Sequence, residues 1–274
     1  MHLRVPQPYD FALSTARFRE FGTDGATVLH DGGLHRVVQG REVRIEPVAG
    51  GVRLEPGSRA SVGEVGHLLG LPFDLDAFRA WAVQDEVLAP IVRALPGFRP
   101  PLHPNPFEAL VVAVTTQQIS LVAAAAIRGR FVERFGTRHE VAWEFPTRDR
   151  VAASDPDEYP SLGFSRRKAE YVVGLARSDL DLDALAALTD GEVVETLTAL
   201  PGIGRWTDDW FLARHLARPE AWPAGDLGLR KAVSTFCAGG RPLSIEEVRV
   251  LGERFAPFRN LSAHHLLAGA RMNA

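Results

Sequence analysis

The first seventy residues of the chain alternate apolar and polar positions over short runs, the pattern of strands that bury one face. Pairs of glycine with aspartate, arginine or alanine separate these runs and are typical of turns. Helical spacing predicts one helix before the strands, at residues 11–21, and a short one after them, at residues 62–69. We predict an antiparallel meander of strands at residues 26–30, 34–39, 42–48 and 51–56.

From about residue 74 the apolar positions recur every three or four residues, which predicts amphipathic helices instead. Asn105 precedes Pro106 and Glu108, which gives an N-cap, a proline at the first helical position and an acid in the first turn. We expect eight or nine helices joined by short loops. Further signals are N-caps at Ser120 and Ser165, a stop at Gly136, and capping boxes at Thr189 with Glu192 and at Ser244 with Glu247.

Together the two patterns predict an α+β fold. We expect residues 1–73 to form a small antiparallel sheet module. Residues 74–274 are expected to form two all-α subdomains with a cleft between them. Four prolines within residues 98–106 make that segment a stiff connector.

Composition narrows the class of protein further. Hydrophobic residues make up 46% of the 274 residues and charged residues 24%, which is ordinary for a globular protein. The longest apolar run, residues 121–127, is too short to span a bilayer, and the first residues lack the pattern of a secretory signal. Cys237 is the only cysteine, so neither an internal disulfide nor a four-cysteine iron–sulfur cluster can form. We expect a cytoplasmic protein without a membrane partner.

Net charge argues mildly against a nucleic-acid partner. The chain has 31 basic and 34 acidic residues and a formal net charge of −3, whereas phosphate contact usually leaves a basic footprint. An interpretation as a DNA-binding protein therefore depends on local features.

The most informative local feature is Leu200-Pro201-Gly202-Ile203-Gly204, a hairpin between two helical patterns. Proline and two glycines cannot continue a helix and permit a tight turn, in which we expect Gly204 to need a positive φ. The second helix then starts near Arg205, with free backbone N–H groups facing outward. Such a helix N-terminus binds anions without basic side chains, so a DNA phosphate would fit there. The alternative is a plain turn between two helices.

With these residues the chain resembles a known family. The hairpin in LPGIGRWT and the loop WPAG that ends in Asp226 are similar to the helix-hairpin-helix (HhH-GPD) DNA glycosylase superfamily. NPFEALVVAVTTQQIS and LGFSRRKAEYVVGLA are similar to other parts of that family. The N-terminal sheet module resembles that of the bacterial 3-methyladenine DNA glycosylase II (AlkA) type. The resemblance implies that this module is similar to one half of a TBP fold. The resemblance covers nearly the whole chain and implies a monofunctional DNA glycosylase that flips alkylated purines out of duplex DNA and excises them.

Asp226 is the catalytic residue that the resemblance implies. Breaking an N-glycosidic bond builds positive charge on the sugar, and a fixed carboxylate stabilises that charge or positions a water for attack. The alternative role of Asp226 is a helix N-cap, because an apolar-periodic helix with Leu229 and Val233 follows it. The two roles are compatible, since capping holds a carboxylate firmly.

Trp206 bears on whether the enzyme also cuts the strand. Glycosylases that do so use a lysine amine, which in the resembling enzymes lies two residues after the last hairpin glycine. Trp206 occupies that position, and an indole cannot form an imine. The resemblance therefore implies a monofunctional enzyme that uses water and needs no cofactor.

A base pocket is the next implication of the resemblance. Its expected aromatic residues are Trp206, Trp210 and Phe258, of which the first two are spaced i and i+4 on one helix face. Such a pocket would attract a cationic alkylated base through cation–π interaction, and a core aromatic pair is the alternative. Asp208 and Asp209 depart from the family's pattern and lie either beside the pocket or on a solvated face.

Gln118 matches the wedge that fills the hole left by a flipped base, and a polar turn is its alternative role. The run Arg166-Arg167-Lys168 either contacts phosphate or is solvated, and the adjacent pair His264-His265 is not expected to bind a metal. The expected contacts with the DNA backbone are Gly202, Ile203, Gly204, Arg205 and Thr207. The main-chain carbonyls of Thr198, Leu200 and Ile203 are an expected site for a monovalent cation, Na or K.

The expected partner is double-stranded DNA that contains a damaged base, bound by a monomer. Two alternatives stay open. One is a glycosylase for a deaminated or oxidised base. The other is a non-catalytic protein that binds distorted DNA, which the hairpin alone would suit and Asp226 argues against.

Overall fold

The structure is a computed structural model that describes residues 1–272. Its strands are β1 (His2–Arg4), β2 (Thr27–His30), β3 (Gly33–Val38), β4 (Arg41–Val48), β5 (Gly51–Glu55), β6 (Thr137–Arg138) and β7 (Trp143–Glu144). Its α-helices are α1 (Phe11–Thr15), α2 (Arg17–Glu20), α3 (Arg59–Leu68), α4 (Leu75–Ala82), α5 (Leu88–Ala94), α6 (Pro106–Thr116), α7 (Leu121–Phe135), α8 (Arg148–Ala152), α9 (Arg166–Arg177), α10 (Asp190–Thr198), α11 (Arg205–Arg214), α12 (Leu227–Cys237), α13 (Ile245–Gly252) and α14 (Arg259–Met272). Short 3-10 helices lie at Pro156–Leu162, Ala184–Ala187 and Glu253–Phe255.

The N-terminal sheet is antiparallel, with the strand order β1-β5-β4-β3-β2. Its register places Leu34 opposite Ile45 and Ile45 opposite Leu54, and all three side chains are fully buried on one face. The four predicted strands are confirmed. Sequence patterning did not find β1, because three residues are too few to show an alternation.

The cap signals correctly located several helix starts. The Asn105 side chain accepts a hydrogen bond from the Glu108 N–H at 3.0 Å, and Ser120 and Ser165 cap α7 and α9. Both predicted capping boxes are present. Two expectations were inaccurate: the helix expected at residues 11–21 is split into α1 and α2, and the described residues after 74 contain eleven α-helices. Short helices such as α8 give too few turns for a periodic signal.

The apolar side chains form three cores. The first lies between the sheet and α3. The second surrounds the buried helix α6 and draws its residues from positions 107–221. The third combines residues 73–102 with residues 222–268, so that α5 and α12 pack against α14. The proline-rich connector therefore carries the chain from the third core into the second. Among residues 1–272, no helix is both long enough and apolar enough to cross a bilayer.

Candidate functional site

The hairpin between α10 and α11 packs against the ring of Tyr171. Gly202 has a φ of 83°, a conformation that favours glycine, and a Cβ atom there would overlap the Tyr171 ring. Gly204 has a φ of −133°, and a Cβ atom there would meet open space. The expectation that Gly204 needs a positive φ is therefore wrong. The requirement for glycine falls on Gly202, because the ring beneath it leaves no room.

Free N–H groups mark the start of α11. Gly204 is its N-cap and has no side chain to satisfy them. Within residues 1–272, the N–H groups of Gly204, Arg205 and Trp206 have no hydrogen-bond partner. They are the N–H groups that the sequence analysis expected to bind an anion, and they are free to do so. The exposed Arg205 side chain lies at the same end, where its Nε donates to Asp209 Oδ1 at 2.8 Å.

Thr207 does not belong to this exposed set, although we expected it to contact the DNA backbone. Its side chain is 1% exposed, and its N–H donates to the Gly204 carbonyl at 2.8 Å. Its hydroxyl oxygen accepts a hydrogen bond from Gln117 Nε2 at 3.1 Å. Both its N–H and its hydroxyl oxygen already have partners inside the protein, which argues against a contact between Thr207 and DNA. Ile203 is also buried, so its side chain anchors the hairpin and only its backbone can face DNA.

Asp226 caps α12, and it is only half-buried. Its Oδ1 accepts a hydrogen bond from the Leu229 N–H at 2.8 Å. The other carboxylate oxygen has no hydrogen-bond partner among the described residues. The N-cap alternative is therefore correct as a structural role, and it leaves one oxygen of a firmly held carboxylate available for chemistry.

The loop that delivers Asp226 is fixed by Trp222. The indole Nε1 donates to the Val248 carbonyl at 2.9 Å, and the ring lies 5.5 Å from the ring of Phe255. The Asp226 N–H donates to the Pro223 carbonyl at 2.8 Å, which closes a tight turn before α12. The carboxylate is thus held by both the loop and the helix that follows.

The three expected pocket aromatics lie in different environments. Trp206 is half-buried beside the loop, where a Cβ atom on Gly225 would lie 3.3 Å from the indole Cδ1. Trp210 is 7% exposed, and its ring lies 5.1 Å from the ring of His103. Phe258 packs against Trp81 of α4 at 5.6 Å. The structure therefore brings Trp206 against Gly225, the residue before Asp226, whereas Trp210 and Phe258 have the packing of core residues.

One basic side chain, Arg214, also lies near Asp226, and Arg17 lies near Arg214; sequence reasoning found neither. Arg214 Nη1 lies 3.2 Å from His264 Nδ1. Burial lowers the pKa of Arg214 to about 10, and the nearby Asp226 charge opposes that shift. Burial, and then the charges of Arg214 and Arg271, lower the pKa of Arg17. These residues come from α2, α11 and α14, so no local spacing could have indicated that they meet.

Asp208 and Asp209 are both buried, so of the two alternatives the solvated face is wrong. Asp208 is 0% exposed, and within residues 1–272 neither of its carboxyl oxygens has a hydrogen-bond partner. Burial and the neighbouring Asp209 charge raise the pKa of Asp208 to about 7, and Arg205 acts in the opposite direction. A carboxyl group that is about half protonated at pH 7 therefore lies in the first turn of α11.

Gln118, the expected wedge, is exposed two residues after the end of α6. Its backbone has a φ of 59°, in the left-handed region. The exposed side chain of Ile119 follows it. The structure places Gln118 next to the hairpin, since the side chain of Gln117 reaches the Gly202 carbonyl at 3.0 Å.

Comparisons with known proteins match the part of the chain that contains these site residues. A family model described as HhH-GPD superfamily base excision DNA repair protein matches residues 111–255, which include Gln118, the hairpin and Asp226. The chain is 29% identical to the DNA-3-methyladenine glycosylase of Bacillus subtilis (strain 168) over 201 residues, 70% of this chain and 66% of that protein. It is 32% identical to DNA-3-methyladenine glycosylase 2 of Escherichia coli (strain K12) over 181 residues, 63% of this chain and 61% of that protein. The chain thus spans less than two thirds of the length of these curated relatives.

Similarity to a solved structure extends beyond the region of the family match. The 3-methyladenine DNA-glycosylase from Archaeoglobus fulgidus has a TM-score of 0.90 and 27% sequence identity with this chain. The alignment covers 100% of this chain and 99% of that one, so it includes the N-terminal sheet. The predicted α+β fold is confirmed.

Proposed function

This chain belongs to the HhH-GPD superfamily of base excision DNA repair proteins, and we propose that it is a monofunctional DNA glycosylase that excises alkylated purines by hydrolysis. The single observation that carries the proposal is the setting of Asp226. One oxygen of its carboxylate accepts from the Leu229 N–H, and the other has no hydrogen-bond partner among the described residues. The carboxylate is half-buried, and the residue before it, Gly225, lies against Trp206. The glycosylases to which the chain is similar support the same chemistry.

Asp226 would act on the charge that develops on the sugar. The N-terminus of α12 favours a negative charge at its cap. A fixed carboxylate stabilises an oxocarbenium-like transition state more than the neutral ground state, and it can also orient the attacking water. Because Trp206 has no amine, the reaction would end at an abasic site without strand cleavage.

Duplex DNA with a damaged base is the proposed partner, bound by a monomer in the cytoplasm. The free N–H groups of Gly204, Arg205 and Trp206 would bind one phosphate. Gln118 would enter the duplex beside the flipped nucleotide and hydrogen-bond the orphaned base. Phosphate contacts carry no sequence information, which suits an enzyme that searches for lesions in any sequence.

The carbonyls of the hairpin are a proposed site for Na⁺ or K⁺. The Thr198 carbonyl at the end of α10 has no hydrogen-bond partner among the described residues, whereas that of Leu200 accepts from the Ile203 N–H at 3.2 Å. Replacing Na⁺ and K⁺ by tetramethylammonium at equal ionic strength should weaken binding to undamaged duplex. Unchanged binding would remove the cation from the proposal.

A glycosylase for deaminated purines is the second candidate, favoured by Arg17 and Arg214. The guanidinium group of Arg214 lies near Asp226, and that of Arg17 lies near Arg214; both can donate hydrogen bonds to the carbonyl oxygen that deamination creates on a base. A cationic alkylated base would gain nothing from these donors. Duplexes that carry 3-methyladenine, 7-methylguanine, hypoxanthine or ethenoadenine distinguish the two candidates.

The deciding experiment compares Asp226→Asn with the parent on these duplexes. Alkali converts abasic sites into strand breaks, so breaks measure base release. We expect Asp226→Asn to reduce release at least about 100-fold, because a neutral amide cannot stabilise the sugar cation. Lesion-DNA binding should persist, since asparagine is also a good N-cap.

Asp74→Asn is the matched control. Asp74 also caps a helix, with its Oδ1 accepting from the Ala77 N–H at 3.0 Å, but it lies at the start of α4. Its variant should release bases at the parental rate. Near-parental turnover by Asp226→Asn would remove Asp226 from the mechanism.

A further inference from the structure

The turn that carries Gln118 is held by polar contacts and not by packing. Gln118 has a φ of 59°, a backbone conformation that residues other than glycine rarely adopt. A cavity of about 240 Å³ opens beside the turn and is lined in part by Gln118, Ile119 and Lys168. Apolar packing therefore does not support this side of the turn, and its shape must be set by hydrogen bonds.

Lys168 supplies the first set of these bonds. Its Nζ donates to the Thr115 carbonyl at 2.9 Å and to the Gln117 carbonyl at 2.5 Å. Both carbonyls belong to the C-terminal end of α6, where carbonyl groups lack helical partners and a positive charge is favoured. Burial lowers the pKa of Lys168, which is consistent with an ammonium group enclosed by protein.

The choice of lysine at this position is notable in an arginine-rich chain. Of the 31 basic residues, only Lys168 and Lys231 are lysines. Two carbonyls that converge on one point suit a compact ammonium, whereas a planar guanidinium presents its donors as a fork. The geometry therefore favours lysine over arginine at residue 168.

Gln117 ties the same turn to the hairpin on the other side. Its Nε2 donates to the Gly202 carbonyl at 3.0 Å and to Thr207 Oγ1 at 3.1 Å. Tyr171 lies one turn after Lys168 on α9, directly beneath Gly202. The start of α9, the turn with Gln118 and the hairpin thus form a closed set of contacts.

We infer that Lys168 and Gln117 are positioning residues that fix Gln118 relative to the hairpin, so that a phosphate bound at the hairpin brings Gln118 into register with the nucleotide to be flipped. The inference rests on the proposed function, because it assigns both residues to base flipping. It predicts that their loss affects the steps after binding, since neither side chain faces the free N–H groups that would hold phosphate. A residue with a merely structural role would instead lower the folded fraction and leave the folded enzyme normal.

Three variants and one control test this inference. Lys168→Met removes the charge and keeps the length of the side chain, and Lys168→Arg keeps the charge but not its shape. Gln117→Glu keeps the size and replaces the donating amide by a carboxylate that repels the Gly202 carbonyl. Lys231→Met is the matched control, because Lys231 is the other lysine and is exposed on α12.

Three measurements separate base flipping from DNA binding. The affinity for an undamaged duplex measures binding. The fluorescence of 2-aminopurine placed next to the lesion and the single-turnover rate of base release at saturating enzyme measure the steps after binding. We expect all three variants to lose about 10- to 100-fold in the single-turnover rate and most of the 2-aminopurine signal, because small misplacements are costly at reacting groups. Affinity for undamaged duplex should change less than about threefold, since phosphate contacts are kept.

The outcomes distinguish this inference from the proposed function. If Lys168→Met and Gln117→Glu fold and give the parental 2-aminopurine fluorescence and single-turnover rate, the inference is wrong. The proposed base excision would not be affected by that result. If the parent releases no base from any lesion duplex, the proposed function fails. Loss of the 2-aminopurine signal in the variants would then still support the positioning role. Should Lys168→Met not fold, Gln117→Glu decides alone, and Lys231→Met must match the parent in every readout.

Discussion

Replacing Asp208 by asparagine should stabilise the protein, and the gain should depend on pH. Asp208 is fully buried, and in the described part of the chain its two oxygens have no hydrogen-bond partner. Burial first, and the Asp209 charge second, raise its pKa from the ordinary 3.8 to about 7. Since one pKa unit corresponds to about 1.4 kcal/mol, ionised Asp208 destabilises the folded state by about 4 kcal/mol at most.

The direction of the pH effect follows from the two pKa values. Below pH 4, Asp208 is protonated in both the folded and the unfolded state, and it costs no stability through ionisation. Between pH 4 and 7 the unfolded state releases a proton that the folded state keeps, so the stability of the parent falls as the pH rises. Above pH 7 the whole cost is present. Asparagine does not titrate, so its advantage over the parent should grow by about 2 to 3 kcal/mol from pH 5 to pH 8.

Urea unfolding at pH 5, 6, 7 and 8 measures this growth for the parent and Asp208→Asn. Asp209→Asn is the comparison variant, because the Asp209 charge helps raise the pKa of Asp208. Unlike Asp208, Asp209 has a hydrogen-bond partner, Arg205. Its removal should make the pH trend shallower without abolishing it. If the free-energy difference between Asp208→Asn and the parent is the same at all four pH values, Asp208 is not held in its protonated form.

Two further predictions concern DNA chemistry and binding. Borohydride should trap no covalent complex with lesion DNA, because Trp206 occupies the place of the amine; a borohydride-dependent crosslink would show that another amine attacks the sugar. Gly204→Asp should weaken binding to damaged and undamaged duplex together and flatten the log–log salt dependence by about one unit, because the new carboxylate faces the phosphate site. Single-turnover release at saturating enzyme should fall much less than affinity; parental affinity of the folded variant for undamaged DNA would make the hairpin a mere connector.

Features that depend on a few neighbouring residues were predictable from the sequence. The cap at Asn105 and the box of Thr189 with Glu192 each close within four residues, so the spacing alone specifies the hydrogen bonds. The same holds for Asp226, whose cap on α12 needs only the Leu229 N–H. The hairpin and this aspartate were enough to indicate the family, which the comparisons confirm.

Features set by contacts between distant segments were not predictable. Gly202 rather than Gly204 needs to be glycine because Tyr171 lies beneath it, 31 positions earlier in the chain. The sequence also did not show that Thr207 is buried, with its hydroxyl accepting a hydrogen bond from Gln117 at the end of α6. No periodicity or spacing around these residues reveals either partner, since both depend on how α9 and α6 pack against α11.

A raised pKa of Asp208 also bears on the proposal that a chain of net charge −3 binds DNA at the hairpin. Asp208 lies in the first turn of α11, where an ionised carboxylate would offset the positive potential of the free N–H groups. A protonated carboxyl leaves that potential intact for a phosphate. Binding of the parent to undamaged duplex should therefore weaken as the pH rises through about 7, the pKa of Asp208. Asp208→Asn should not show this loss, and fluorescence anisotropy at constant ionic strength measures both. Equal pH dependence in parent and variant would mean that the titrating group lies elsewhere, and that the charge of Asp208 does not reach the hairpin.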